Sequence, residues 1–297
     1  MKYRFSALIV LSVLCCTLLS GQANAQSRRA IWVWNTQQIR SNPSARADFF
    51  KFLSAPFGDK DHAIKIVYFD GLNVPDFSNP YIVASVRNFL KDAHARGLRV
   101  EFLTGDPSWA TAAGEPGAIA LINAVLAFNK AGSPVERYDG IQYDVEPYSL
   151  PTWPSAALEQ GSVDLLDKSN AAIKASGQRL PLTSCIPRWY GQAQFNFLDR
   201  AIIDRSDAIV VMDYVTTVGQ LVNDPQDVLV YATKKGKPVW LGVETTPLPD
   251  TPRTTFFGST NTQMESILSQ ALPILKLQPS FHGYAVHQYA YYPSLKP

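Results

Sequence analysis

Short apolar runs recur along the chain, and polar or turn-forming residues separate them. Runs of about four to eight apolar, β-branched or aromatic residues are typical of buried strands. We predict eight strands, over residues 30–34, 64–69, 98–103, 140–145, 180–186, 208–212, 238–243 and 283–289. Their continuous apolar character favours a parallel sheet, because helices cover such strands and hide them from water.

Helical patterns fill the intervals between these strands. A proline just before residues 81–96, another just before residues 117–130, and a glycine after each segment predict two of the helices. Strand starts lie roughly 30 to 45 residues apart, and such units fill the length of a closed (β/α)8 barrel. No Gly-rich phosphate loop follows an early strand, as an open doubly wound sheet would normally show. We therefore predict an α/β fold, a single (β/α)8 TIM barrel over residues 26–297.

The first residues have the zones of a secretory signal peptide. Residues 1–4 are basic, residues 5–19 are apolar, and small residues end at Ala25. We predict a signal peptide over residues 1–25 with cleavage after Ala25, and a secreted or periplasmic protein. The apolar run is shorter than the roughly 20 residues that span a bilayer, so we expect no membrane association after cleavage.

Composition and charge argue against several other classes of protein. The formal net charge is +2 without a basic block, so we expect no nucleic-acid partner. Cys185 is the only cysteine after residue 25, which excludes a disulfide framework and a cysteine-based metal site in residues 26–297. No His-x-His, His-Glu-x-x-His or Gly-x-Ser-x-Gly motif occurs. We expect a monomer with no metal and no cofactor.

Polar residues collect at the predicted carboxyl ends of the strands, where the active sites of (β/α)8 barrels form. These ends contain Trp34-Asn35, Asp70-Gly71, Thr104-Gly105-Asp106, Asp144-Val145-Glu146, Arg188-Trp189, Asp213-Tyr214, Glu244-Thr245 and His287-Gln288. Polar residues also cap strands wherever loops begin. We assign Asn35, Asp70 and Thr104 to that ordinary role.

The fourth strand carries the most specific pattern. Side chains two residues apart point the same way along a strand, so Gln142, Asp144 and Glu146 share one face. When two carboxylates lie close together, one holds its proton to higher pH and can act as a general acid while the other stays charged. Glycoside cleavage uses this division of roles. The alternatives are calcium ligation or a structural ion pair with Arg137 or Arg188.

Residues 139–146, with the sequence DGIQYDVE, resemble the DGxDxDxE signature on the fourth strand of family 18 glycoside hydrolases, the chitinase-like barrels. The resemblance implies that Glu146 is the catalytic acid and that Asp144 orients the acetamido group of the substrate. Asp139 is the first acid of the signature. The segment Met212-Asp213-Tyr214 resembles the Met-x-Tyr-Asp of the sixth strand, which implies that Tyr214 binds the reacting sugar.

The chain departs from that pattern at several positions. Gln142 replaces the middle acid of the signature, Val145 replaces an aromatic residue, and no Asp follows Tyr214. His287 stands where the family usually has a tryptophan. These differences argue against substrate-assisted cleavage of an N-acetylated sugar.

A second arrangement uses Glu244 at the end of the seventh strand. Many retaining glycosidases with this barrel pair a strand-four glutamate, here Glu146, with a strand-seven glutamate as nucleophile. A separation of about 5 to 5.5 Å between the carboxyl groups implies a covalent intermediate, and a wider gap implies direct attack by water. The sequence leaves open whether Asp144 or Glu244 is the second catalytic carboxylate.

The sequence thus predicts a secreted or periplasmic glycosidase, or alternatively a non-catalytic carbohydrate-binding barrel. Aromatic rings stack on the C–H faces of sugars, so aromatic residues near the strand ends are candidates for substrate contact. The predicted catalytic residues are Glu146, Asp144 and Glu244. The predicted substrate-binding residues are Tyr214, Asp213, Asp139, Gln142, Trp34, Asp106, Trp109, Tyr148, Arg188, Trp189, His287 and Gln288.

Overall fold

A computed structural model describes residues 29–195, 197–249 and 252–296. The predicted signal peptide lies outside these residues. The strands form a closed parallel barrel in chain order, and the last strand pairs with the first. They are β1 (Arg29–Val33), β2 (Ile64–Phe69), β3 (Arg99–Thr104), β4 (Gly140–Tyr143), β5 (Leu182–Pro187), β6 (Ala208–Met212), β7 (Val239–Glu244) and β8 (Phe281–His287). The predicted (β/α)8 barrel is confirmed.

Helices connect the strands on the outside of the barrel. They are α1 (Gln37–Ser41), α2 (Pro43–Ser54), α3 (Pro80–His94), α4 (Glu115–Ala131), α5 (Ala156–Ala175), α6 (Leu198–Arg205), α7 (Val218–Asn223), α8 (Gln226–Lys235) and α9 (Asn261–Leu275). The two helices predicted from proline and glycine positions correspond to α3 and α4. Helix α3 begins at Pro80, where the Asn79 side chain accepts hydrogen bonds from two backbone N–H groups of the first turn.

Side chains point alternately outward and inward along the strands, and they form two separate apolar clusters. Residues such as Ile141, Tyr143 and Val211 pack between the barrel and its helices. The alternate residues fill the interior of the barrel in a second cluster, which includes Trp32, Tyr68, Leu103, Val210, Met212 and Trp240. The interior is therefore a packed core, and in barrels of this kind ligands bind above it, at the carboxyl ends of the strands.

The described residues contain no helix that is both long enough and apolar enough to cross a membrane.

Candidate active site

Strand β4 directs its polar residues toward the barrel axis. Ile141 and Tyr143 pack in the outer cluster, so Gln142 faces the interior, where it is fully buried. The chain continues in register past the end of β4, since the Asp144 amide donates a 2.9 Å hydrogen bond to the Thr104 carbonyl. Asp144 and Glu146 are half-buried at the mouth of the barrel.

A glycine at the end of β3 makes this close pairing possible. A Cβ atom on Gly105 would lie 1.9 Å from the carbonyl oxygen of Asp144 and 2.4 Å from its carbonyl carbon. No residue with a side chain fits there without a shift of the backbone. Gly105 therefore allows the two strand ends to approach each other beneath the acids.

Glu146 is held by the turn that follows it. Pro147–Ser149 forms a single 3-10 turn, and both the amide and the hydroxyl of Ser149 donate to the Glu146 carbonyl, at 3.0 and 2.9 Å. The Tyr148 hydroxyl donates a short hydrogen bond to Glu146 Oε1. The carboxyl group thus has a fixed orientation and a polar partner.

The electrostatics of the mouth separate the acids. Burial, together with the neighbouring charge of Glu146, raises the pKa of Asp144 to about 7. One carboxyl oxygen of Asp144 is buried without a hydrogen-bond partner among the described residues. Asp144 is therefore only partly ionised near pH 7, so this carboxyl group can hold or release a proton there.

Two residues outside the predicted site also influence these acids. Burial raises the pKa of Asp70, at the end of β2, to about 6, and its charge raises the pKa of Asp144. The Cys185 thiol is buried inside the barrel and lowers the pKa of Asp144. The sequence assigns Asp70 to strand capping because a lone acid after a strand usually has that role.

Neither arginine considered as an ion-pair partner reaches the acids. Arg188 pairs with Asp224, with 3.4 Å between Nε and Oδ2, and donates to the Tyr214 carbonyl at 3.4 Å. Arg137 donates to the carbonyl of Gly132. Over residues 29–195, 197–249 and 252–296, no group of three or more His, Cys, Asp or Glu side chains could hold a metal ion.

Glu244 lies in a different environment, buried and fully hydrogen-bonded. Its Oε1 accepts from the amides of Thr245 at 2.7 Å and Thr246 at 2.6 Å, and its Oε2 lies 2.8 Å from His287 Nδ1. The Trp34 indole N–H donates to His287 Nε2 at 2.8 Å. Since Nε2 accepts a hydrogen bond, Nδ1 carries the hydrogen of the neutral imidazole. The Nδ1–H group therefore donates a hydrogen bond to Glu244.

Tyr214 lies at the same mouth. Its ring is 5.9 Å from the His287 ring, and its half-buried side chain packs on the interior cluster. Burial raises the pKa of its phenol, and the charges of Glu244, Asp144 and Glu146 contribute to that effect. The structure thus brings Tyr214, His287 and Trp34 together with the three predicted catalytic acids.

Two predicted substrate-binding acids have other surroundings. Asp139 precedes β4, at the opposite end of the barrel, where its carboxylate accepts from the Val100 amide at 2.7 Å and pairs with His94 at 2.9 Å. Asp213 follows β6 and is fully buried near Asp224 and Arg188, and neither of its carboxyl oxygens has a partner among the described residues. The contacts of Asp139 favour a structural role, and substrate binding by Asp213 stays a prediction.

Two further predicted substrate-binding residues, Asp106 and Trp109, make contacts within the protein. Asp106 caps the turn Pro107–Ala110 by accepting from the Ser108 amide at 2.8 Å. Trp109 packs edge-on against the outward-facing ring of Tyr143, which places it in the outer cluster.

Two other candidates lie on loops at the strand ends. The Gln288 amide donates to Thr245 Oγ1 at 3.1 Å, next to Glu244. Trp189, half-buried after β5, packs edge-on against Tyr148 at a ring distance of 5.1 Å.

No family model and no curated protein matches this chain. Solved structures with the same fold include a GH18 chitinase from Pseudoalteromonas aurantia, with a TM-score of 0.56, 13% identity, and coverage of 89% of this chain and 94% of the other. An endo-beta-N-acetylglucosaminidase from Cordyceps militaris gives 0.55, 15%, and coverage of 88% and 81%. The GH53 catalytic domain of Ignisphaera aggregans gives 0.54, 14%, and coverage of 89% and 85%. The chain therefore has the TIM-barrel fold of GH18 chitinases and related glycosidases.

Proposed function

We propose that this protein is a glycosidase that cleaves a glycan, with Glu146 as general acid/base and Asp144 as the second catalytic carboxylate. One observation carries the proposal. Two adjacent inward-facing acids meet at the mouth of the barrel, and burial with the charge of Glu146 raises the pKa of Asp144 to about 7. Because the two acids can share one proton, Glu146 can donate it to a leaving oxygen while the ionised Asp144 stabilises positive charge on the sugar.

Hydrogen bonding favours Asp144 over Glu244 for the second role. Glu244 is 2% exposed, and its two oxygens already accept three hydrogen bonds. A nucleophile needs a free lone pair directed at the sugar, and attack by Glu244 would break the contact with His287. Asp144 has an oxygen without a partner, so it can meet a substrate without losing an internal bond.

The loops around the mouth suit a neutral sugar. Tyr148 and Trp189 form part of an aromatic cluster beside Glu146, and Trp34 and Tyr214 pack on the interior cluster near the acids. Arg188 is paired with Asp224, which partly offsets its positive charge at the strand ends. Together with the predicted signal peptide, these features support a secreted or periplasmic enzyme that acts on an uncharged glycan.

A panel of polysaccharides and oligosaccharides tests the proposal. Purified protein is incubated with each glycan, and new reducing ends are measured beside a binding assay by affinity electrophoresis. We expect cleavage of at least one glycan, and a loss of about 10²- to 10⁴-fold in the rate for Glu146→Gln. Cleavage that survives this substitution would overturn the role of Glu146.

A carbohydrate-binding barrel without turnover is the second candidate, and Gln142 favours it. This residue occupies the position of an acid in the resembling signature, and its amide is fully buried with both polar atoms unpartnered among the described residues. An acid lost beneath Asp144 would be consistent with a site that only binds. Binding without cleavage across the whole panel would establish this candidate in place of the enzyme.

A further inference from the structure

Tyr148 was considered above as a surface for stacking sugars, but its hydroxyl is directed at Glu146. We propose that Tyr148 is a positioning residue that fixes Glu146 Oε1 and stabilises the ionised carboxylate, leaving Oε2 as the oxygen that exchanges a proton with the substrate. This inference rests on the proposed role of Glu146. It assigns different functions to the two oxygens of that carboxyl group.

The turn after β4 and the neighbouring loop hold the tyrosine ring in place. Only Pro147 separates Tyr148 from Glu146, and it is buried within the same 3-10 turn. The ring packs edge-on against Trp189 at 5.1 Å and Tyr190 at 6.2 Å, and those two rings are 4.8 Å apart. A ring with aromatic neighbours on the β5 loop has little freedom to turn its hydroxyl away from Glu146.

The proton of this hydrogen bond belongs to the tyrosine. Burial raises the pKa of the Tyr148 phenol, and the charge of Glu146 raises it further. The phenol therefore stays protonated and donates, while Oε1 accepts. A donor of this kind favours the charged form of a carboxyl group. Other titratable groups that act on Glu146 or are influenced by it are Asp144, Cys185, Tyr190 and Tyr214.

The arrangement has a consequence for the proposed reaction. When the glycosidic C–O bond breaks, its electron pair stays on the leaving oxygen, which takes the proton from Glu146 Oε2. Glu146 is then a carboxylate, and the Tyr148 hydroxyl stabilises its new charge at the moment it forms. Water that attacks the sugar later returns a proton to Oε2.

The chain contains a matched control. Tyr190 belongs to the same aromatic cluster, but its buried hydroxyl has no hydrogen-bond partner among the described residues. Tyr148→Phe and Tyr190→Phe therefore remove the same atom from one cluster, and only the first removes a contact with Glu146. A general loosening of the cluster would affect both variants.

Carboxyl 13C NMR titration tests the proposal without a substrate, with the Glu146 signal assigned by its loss in Glu146→Gln. We expect the titration midpoint of Glu146 to move up by about one pH unit in Tyr148→Phe, the size expected for loss of a hydrogen bond to a charged group. Tyr190→Phe should leave it unchanged. In the unmutated protein, the Cζ signal of Tyr148 should inflect at the same pH as Glu146, which tests the contact even if Tyr148→Phe does not fold.

Three results would overturn the inference. They are an unchanged Glu146 midpoint in Tyr148→Phe, equal midpoint shifts in both variants, and a Tyr148 Cζ signal that does not change as Glu146 titrates. Because the titration needs no turnover, it separates this inference from the proposed function. If a cleaved glycan is found, the pH–rate profile gives a second test. The limb of the profile that reflects Glu146 should shift in Tyr148→Phe by the same amount as the NMR midpoint, and it should not shift in Tyr190→Phe.

Discussion

His287 and Glu244 are joined by a 2.8 Å hydrogen bond between Nδ1 and Oε2, although 43 residues separate them in the chain. The Trp34 indole N–H donates to the other nitrogen of the imidazole, so hydrogen bonds connect the three side chains along the mouth. Glu244 is the buried end of this series, since the Thr245 and Thr246 amides donate to its other carboxyl oxygen. In our proposal, this relationship gives Glu244 a positioning role.

We expect Glu244→Gln to lower the free energy of unfolding by about 2 kcal/mol, because it removes a charged acceptor from a buried, fully bonded position. The new amide also places N–H donors opposite the Nδ1–H of His287. Urea unfolding followed by circular dichroism measures the change. Trp34→Phe, which keeps an aromatic ring and removes only the indole donor, should cost less, and an equal or larger loss would contradict the anchoring role of Glu244.

The acids of the mouth should make stability depend on pH in a defined direction. The pKa of Asp144 is raised to about 7 and that of Asp213 to about 8, both mainly by burial, against about 3.9 in an unfolded chain. The folded state therefore binds more protons between about pH 4 and pH 8, so the free energy of unfolding from these groups falls as pH rises through that window.

Asparagine at either position removes this dependence. We expect Asp144→Asn and Asp213→Asn each to stabilise the protein by about 1 to 2 kcal/mol at pH 8 relative to pH 5, measured by urea unfolding at both values. Only Asp144→Asn should also abolish turnover, since Asp213 is fully buried and cannot contact a substrate without a movement of its surroundings. Loss of turnover in Asp213→Asn with an intact fold would support its predicted role in the site.

The pair His94 and Asp139 should also contribute less stability as pH rises, but through the loss of a favourable contact rather than through burial of a charge. The hydrogen bond with Asp139 is the main reason that the pKa of His94 is raised. Its stabilisation is fully present below the unfolded value of about 6.5 and is lost as pH rises through the higher folded value. We expect Asp139→Asn to cost about 1 kcal/mol at pH 6 and less at pH 9 in unfolding experiments, with turnover unchanged. A rate defect without a stability defect would return Asp139 to the active site.

Gly105 should be intolerant of a side chain. An alanine Cβ there would overlap the Asp144 carbonyl, so Gly105→Ala must move the backbone beneath the acids, at a cost of about 2 kcal/mol or more. Gly117, in the first turn of α4, is the matched control, because a Cβ there meets nothing within 4 Å. Thermal unfolding should show a loss for Gly105→Ala and a neutral or stabilising effect for Gly117→Ala, and equal effects would contradict the close approach of the two strands.

The periodic parts of the chain were predictable. Apolar runs located the strands to within a few residues, and the shared face of Gln142, Asp144 and Glu146 follows from a period of two. Two side-chain positions could not be predicted from this alternation. Asp139 belongs to the motif but precedes the strand, so it lies at the amino end of β4, opposite the mouth. Asp213 follows β6 at a bend in the backbone, where alternation no longer indicates the side-chain direction.

Glu244 and Tyr148 depend on contacts that no local pattern encodes. The sequence placed Glu244 at a strand end, but its three hydrogen bonds come from the following loop and from β8. Tyr148 was predicted from its aromatic ring, whereas its distinctive contact is made by the hydroxyl. A tight Glu-Pro-Tyr turn is the signal that could have indicated it.

The most direct test of the central claim compares turnover of the unmutated protein, Glu146→Gln, Asp144→Asn and Glu244→Gln on one cleaved glycan at a single pH. If Glu146 with Asp144 carries the reaction, kcat falls by about 10²- to 10⁴-fold in Glu146→Gln and stays within about tenfold in folded Glu244→Gln. A folded Glu244→Gln protein as inactive as Glu146→Gln, with Asp144→Asn still active, would show that Glu244 is the second catalytic carboxylate.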